Sequence, residues 1–172
     1  VVGLFAGIGG IELGLHEHGH STRLLCEIEP SAARVLAHHF PTVSLVPDVR
    51  EILALPESDL LVAGFPCQDL SQAGRTAGIT GKRSGLVGEV FRLLETAEPR
   101  WLLLENVPFM LSLDKGEAMR FLTRELERLG FNWCYRVVNS RAFGLPQRRH
   151  RVLMLASRTE DPRQILLPDD AG

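Results

Sequence analysis

Cys67 is where chemistry is most readily read in this sequence. It follows an apolar run, Leu60-Leu-Val-Ala63, that reads as a buried strand and stops at Gly64, where Pro66 ends further pairing. A cysteine at the carboxyl end of such a strand lies in the crevice where open α/β sheets hold their ligands. Backbone amides of a following turn, or a nearby cation, would lower its pKa and raise its thiolate population, making it a nucleophile. Burial as an inert thiol is the plain alternative. Glu105 ends a second apolar run, Trp101 to Leu104, directly before Asn106 and Val107. A carboxyl group at the edge of an apolar strand can hold a proton near neutrality and act as a general acid. A salt-bridged or helix-capping Glu is the structural alternative. Neighbouring parallel strands converge at their ends, which would set Glu105 beside Cys67. Gln147-Arg-Arg-His-Arg151 leads into the last apolar run, and extended alternation puts Gln147, Arg149 and Arg151 on one face. Arginines there suit a carbonyl oxygen or phosphates, although alone such a run is usually a solvated surface.

A second set of residues suits a nucleotide-like ligand. Phe5-Ala6-Gly7-Ile8-Gly9-Gly10 follows an apolar run and opens a helical pattern. Glycines in that context let the backbone approach a ligand at a helix N-terminus. The spacing falls short of a full dinucleotide fingerprint, so a purely structural turn is the alternative. Glu27 follows about 20 residues later at the end of the next strand, where a carboxylate can accept both hydroxyls of a ribose. Ile28 beside it could cover an adenine face, and Asp48, ending the third strand, could accept from an adenine amino group. Singly, each acid also reads as a solvated turn residue.

The elements that would carry these residues alternate. Strands are expected at 1–5, 22–27, 43–46, 60–63, 101–104, 131–138 and 152–156, with helices at 11–18, 31–39 and 86–97. Pro30 suits a first helical position. Asp114, with Glu117 three residues on, predicts a capping box opening a helix whose stripe is Ala118, Leu122, Leu126 and Leu129. The stretch from Cys67 to Gly85 is glycine-rich and poor in apolar residues, and reads as a long mobile loop of functional type. The fold class is α/β, a mostly parallel doubly wound sheet with a reversed strand near the C-terminus, because only a loop precedes the last strand.

At 172 residues, with 45% apolar and 23% charged residues, the chain fits one globular domain, residues 1–172. No apolar run approaches the roughly 20 residues of a membrane span. The chain opens on Val1 without an initiator Met or a basic leader, as if trimmed from something longer. Three cysteines, Cys26, Cys67 and Cys134, cannot all pair and point to a reducing compartment, the cytoplasm. The net charge of −2 does not announce a nucleic-acid binder, but its distribution is uneven. No acid occurs from Leu70 to Gly88 or from Arg128 to Thr159, and the second stretch holds seven arginines. One face could therefore be locally basic.

Taken together and in this order, these residues resemble the C5-cytosine-specific DNA methyltransferases. Phe-Ala-Gly-Ile-Gly-Gly is similar to the family's cofactor motif, Gly-Phe-Pro-Cys67-Gln to its nucleophile motif, Glu105-Asn-Val to its acid motif and Gln147-x-Arg-x-Arg151 to its late basic motif. The likeness runs over essentially the whole chain. It implies a Rossmann-like fold that uses S-adenosylmethionine, leaving S-adenosylhomocysteine, with no metal. The cofactor residues it implies are Phe5, Ala6, Gly7, Gly9, Gly10, Glu27, Ile28, Asp48, Val49, Pro66 and Leu86. It implies catalysis by Cys67, Glu105, Arg149 and Arg151 on a cytosine flipped out of double-stranded DNA, with Gln68, Ser71, Asn106 and Gln147 on the substrate side. Restriction–modification is the setting it suggests. Two departures stand out: Gly3 replaces an acid the family often has, and Asp69 replaces a Pro.

The resemblance also implies a target-recognition region and final motifs beyond Gly172. They are expected in a C-terminal remainder or a separate recognition subunit, and the residues here would form the catalytic, S-adenosylmethionine-binding part. Three other readings remain open: cytosine methylation of tRNA, a non-catalytic half of a split enzyme, and a nicotinamide-binding protein in which Cys67 is structural.

Overall fold

The computed structural model describes residues 1–67 and 85–168. In chain order the elements are β1 (Val2–Leu4), α1 (Gly10–Glu17), β2 (Leu24–Cys26), α2 (Pro30–His39), β3 (Ser44–Val46) and β4 (Leu60–Ala63). There follow α3 (Leu86–Leu94), β5 (Trp101–Asn106), α4 (Glu117–Arg128), β6 (Asn132–Asn139), β7 (His150–Ser157) and α5 (Arg163–Leu166). The strands form one sheet in the order β3-β2-β1-β4-β5-β7-β6. All neighbours pair in parallel up to β5, and β7 runs antiparallel to both β5 and β6. The expected reversal of the last strand is therefore present, and the architecture is the expected α/β one, a mostly parallel Rossmann-like sheet with helices on both faces.

Alternation along the strands builds the two faces. Val2, Leu4, Leu24, Cys26, Leu61, Ala63, Leu102 and Leu104 pack against Val87, Val90 and Phe91 of α3 and Ala118, Phe121 and Leu122 of α4. On the opposite face Leu25 meets Leu36 and Phe40 of α2, with Leu13 of α1 beside them. Gly9 sits at the join of α1 and α2: its φ is +83°, and a Cβ there would fall 2.7 Å from Leu36 Cδ2. Both the conformation and the close approach require glycine.

Three expectations change in detail. β5 continues two residues past Leu104, so Glu105 and Asn106 belong to the strand, and β7 starts at His150, so Arg151 does too. The capping box at Asp114 does not form. Asp114 and Lys115 take left-handed backbone angles (φ 49° and 56°), Gly116 is the N-cap without a side-chain bond, and Glu117 pairs with Arg120 instead. The tight turn after residues 108–111 leaves Asp114 out of register for capping.

Candidate active site

The sheet order reverses between β1 and β4. The chain leaves β1 outward for β2 and β3, then returns to β4 on the other side. Loops diverge at such a switch point and open a crevice at the carboxyl edge. Phe5 stands at the lip of it with φ 56°, a left-handed conformation costly for a large side chain by about 1–3 kcal/mol. The turn after it is held by Ala6 N donating to Cys26 O (3.0 Å) and Gly9 N to Ala6 O (2.8 Å). Gly7 N donates to Glu27 Oε2 at 2.7 Å, and Glu29 N to Glu27 Oε1 at 2.8 Å. The Glu27 carboxylate is thereby fixed against both the glycine turn and its own loop, and each oxygen keeps a lone pair for a ligand hydroxyl.

Phe5, Glu27, Ile28, Asp48, Val49, Gly64, Pro66 and Leu86 line one cavity of about 180 Å³. The set brings acids and apolar walls together, the mix that a ribose and a purine ring require. Asp48 carries a complication invisible in the sequence: Arg50 Nε donates to both its oxygens (2.9 and 3.0 Å), and the Arg50 backbone N–H adds a third bond. Those bonds hold the Asp48 carboxyl down at about 2. Arg92 of α3 reaches across to Val49 O and Ile52 O and so fastens this turn to the helix.

On the other side of the switch point, Gly64 N donates to Leu4 O (3.3 Å) and Asn106 Nδ2 to Phe65 O (2.9 Å). Asn106 is 5% exposed, and its Oδ1 accepts from Val107 N at 2.8 Å. One donor and one lone pair of its amide serve the backbone beneath the turn that carries Cys67. Glu105 follows Leu104, the β5 partner of Ala63 in β4, and one of its oxygens would stand 3.4 Å from a Cβ at Gly64, so it lies beside the turn after β4.

The reversal of β7 matters here. Because it runs antiparallel, its first residues lie against the last residues of β5, with Glu105 opposite Leu153 and Asn106 opposite Val152. Arg151 falls on the same face as Leu153, and its Nε reaches Glu105 Oε1 at 2.7 Å. Arg149 and Glu105 line a second cavity with Phe5, Ala6 and Gly7. The expected common face of Gln147, Arg149 and Arg151 is only partly met. Gln147 precedes the strand in a bend, where its carbonyl accepts from Ser140 Oγ and Arg149 N.

Cys67 is half-buried, and burial pushes its thiol up from the ordinary value. The lowered pKa expected of it is not found in this state, since desolvation is the effect at work. Gln68, Ser71 and the remainder of the expected 67–85 loop up to residue 84 lie outside the described residues. Among the described residues, no helix is long and apolar enough to cross a membrane.

Comparison with known proteins agrees with this arrangement. The C-5 cytosine-specific DNA methylase family matches residues 1–169. The Type II methyltransferase M2.BsuMI of Bacillus subtilis is 56% identical over 99% of this chain, and M.BanI of Aneurinibacillus aneurinilyticus 37% identical over 96%. The chain spans 45% and 40% of those relatives' own lengths, under half in both cases. Among solved structures, the Dnmt2 methyltransferase of S. pombe superposes with a TM-score of 0.69 at 18% identity, covering 92% of this chain and 49% of that one. A DNMT2 variant of Spodoptera frugiperda gives 0.72 at 20% identity, covering 92% and 50%. The chain belongs to the C-5 cytosine-specific DNA methylase family.

Proposed function

We propose that this chain is the catalytic part of an enzyme that methylates carbon 5 of cytosine in double-stranded DNA. One observation supports the reading: two cavities that share Phe5 and Gly64 are lined by Glu27 and Pro66, next to Cys67, on one side and by Ala6, Gly7, Glu105 and Arg149 on the other. The cavity lined by Phe5, Glu27, Ile28, Asp48, Val49, Pro66 and Leu86 fits an adenosyl group, with Glu27 on the ribose and apolar contact on the purine. When bound, S-adenosylmethionine supplies an electrophilic methyl group.

The residues of the chain do the rest. Carbon 5 of cytosine is a poor nucleophile until the ring loses its aromatic character. The Cys67 thiolate adds to carbon 6, a proton on the Glu105 carboxyl passes to nitrogen 3, and the ring becomes an enamine with its electron pair available at carbon 5. Arg151 holds Glu105 in place and, with Arg149, offers guanidinium donors to the base's carbonyl oxygen. After methylation, loss of the carbon 5 proton to a base restores the double bond between carbons 5 and 6 and expels the Cys67 thiolate, and the nitrogen 3 proton returns to the Glu105 carboxylate. Asn106 fixes the turn from which the thiol must approach.

The 172 residues correspond to less than half of each named relative, so the contacts that choose the DNA site are assigned to a remainder or a partner subunit. The test is tritiated methyl transfer from S-adenosylmethionine to DNA and to tRNA, using the protein together with that remainder or partner. DNA is expected to be labelled, and Cys67→Ser to abolish labelling. Incorporation into tRNA alone would overturn the substrate, and an active Cys67→Ser variant would overturn the nucleophile.

A further inference from the structure

Glu12 is the buried acid that this chemistry leaves unused. Among the described residues it is the one fully buried carboxylate, at 2% exposure. It lies in the first turn of α1, and its side chain fills the space that a side chain at position 3 would occupy. A Cβ on Gly3 would fall 2.3 Å from Glu12 Oε1 and 2.9 Å from its Cδ. Position 3 is also where the sequence lacks an acid common in its relatives by resemblance. Here strand and helix form a matched pair: the glycine of β1 leaves room for a carboxylate delivered from α1.

That carboxylate lines the second cavity, of about 360 Å³, with Phe5, Ala6, Gly7, Glu105 and Arg149. The two cavities share Phe5 and Gly64, so a ligand with its adenosyl end beside Glu27 continues past Phe5 into the space where Glu12 waits. Two acids line that space. Glu105 is already paired with Arg151 at 2.7 Å. Glu12 has no ion pair among the described residues, and burial pushes its carboxyl up against the smaller opposing effect of its own backbone N–H. A buried carboxylate in that state is costly until a positive group arrives.

We propose that Glu12 receives the α-ammonium of the methyl donor's amino-acid end. The assignment rests on the proposed function above and names a residue that positions the donor. Its test is calorimetric titration with two ligands: S-adenosylhomocysteine, which has the amino-acid end, and 5′-methylthioadenosine, which lacks it. Glu12→Gln is expected to weaken S-adenosylhomocysteine about 10- to 100-fold, the scale of a charge-assisted bond, and to leave methylthioadenosine unchanged. Equal weakening of both ligands would make Glu12 a packing residue, and no weakening of either would remove it from the site. Each result overturns the assignment.

A second variant guards against simple misfolding. Because the three nearest neighbours of a Cβ at position 3 all belong to Glu12, Gly3→Asp combined with Glu12→Ala removes the clash and puts a carboxylate back in the same space. It is expected to recover selectivity for S-adenosylhomocysteine over methylthioadenosine; a folded double variant without that selectivity would count against the proposal. Should the unaltered protein bind methylthioadenosine and S-adenosylhomocysteine equally, the Glu12 assignment fails alone. Should it bind neither, the donor itself is wrong and the assignment falls with it.

Discussion

Two cysteines, Cys26 at the end of β2 and Cys67 just past β4, show how setting decides reactivity. Cys26 lines the cavity that holds Glu27 and Asp48 and is 2% exposed, and burial followed by the charges of Asp48, Glu27 and Glu51 pushes its thiol up to about 12. Cys67 is raised by burial alone and sits on an open turn. Iodoacetamide at pH 8 is therefore expected to alkylate Cys67 well before Cys26, read by peptide mass mapping. For both thiols burial disfavours the charged form, so reaction rates should climb with pH. For Cys67 the climb is about tenfold per unit while the thiol form predominates. A Cys67 rate already flat at pH 7 would mean a thiolate stabilised before substrate arrives. Cys67 and Glu105 were legible in the sequence because strand ends in an α/β chain are conspicuous. The Arg50 clasp on Asp48 and the buried amide of Asn106 were not, because periodicity does not reveal which polar groups meet after folding. Glu12 left one trace, the glycine at position 3.

Among the elements, β7 does the most with the least sequence signal. Its core residues Val152, Met154 and Ala156 mark a strand in either direction, and its reversal followed from the short loop before it. Its continuation, Arg158, is a structural residue that sequence reasoning missed within the basic stretch. The Arg158 guanidinium donates to Leu94 O and Ala97 O at the end of α3 and to Leu129 O at the end of α4, and stacks 4.4 Å from the Phe131 ring. It closes the carboxyl ends of two helices with one side chain, satisfying carbonyls that would otherwise lack partners. Arg158→Met should cost about 2–4 kcal/mol of stability, seen as a lower urea midpoint at unchanged slope, while Arg158→Lys recovers only part. A loss below about 0.5 kcal/mol would mean water replaces those bonds. The failed capping box at Asp114 has the same origin as the missed Arg158: local patterns cannot anticipate a turn imposed by packing.

At the scale of the molecule, the fold class and the reversed last strand could be anticipated from alternating elements. What holds the two halves of the sheet together could not. Most residues that suit the donor run from Phe5 to Val49, with Pro66 and Leu86 added from further along the chain. Those that suit the reacting base run from Cys67 to Arg151, and the sheet joins the two along one seam where β1 pairs with β4. The connection between them passes through an exposed stretch in which Leu53 is 87% accessible. A protein cut there has each half of its site on a different piece, with Val2, Leu4, Leu61 and Ala63 left as complementary apolar edges. Mixing the two pieces should restore binding of S-adenosylhomocysteine that neither shows alone, measured by calorimetry; a first piece that binds fully by itself would contradict the shared crevice. The seam gives the fold a linear order in which a gene break near Leu53 would leave most of the residues around Glu27 on one piece and Pro66, Leu86, Glu105 and Arg151 on the other, so that only the paired β1 and β4 could bring the two cavities back together.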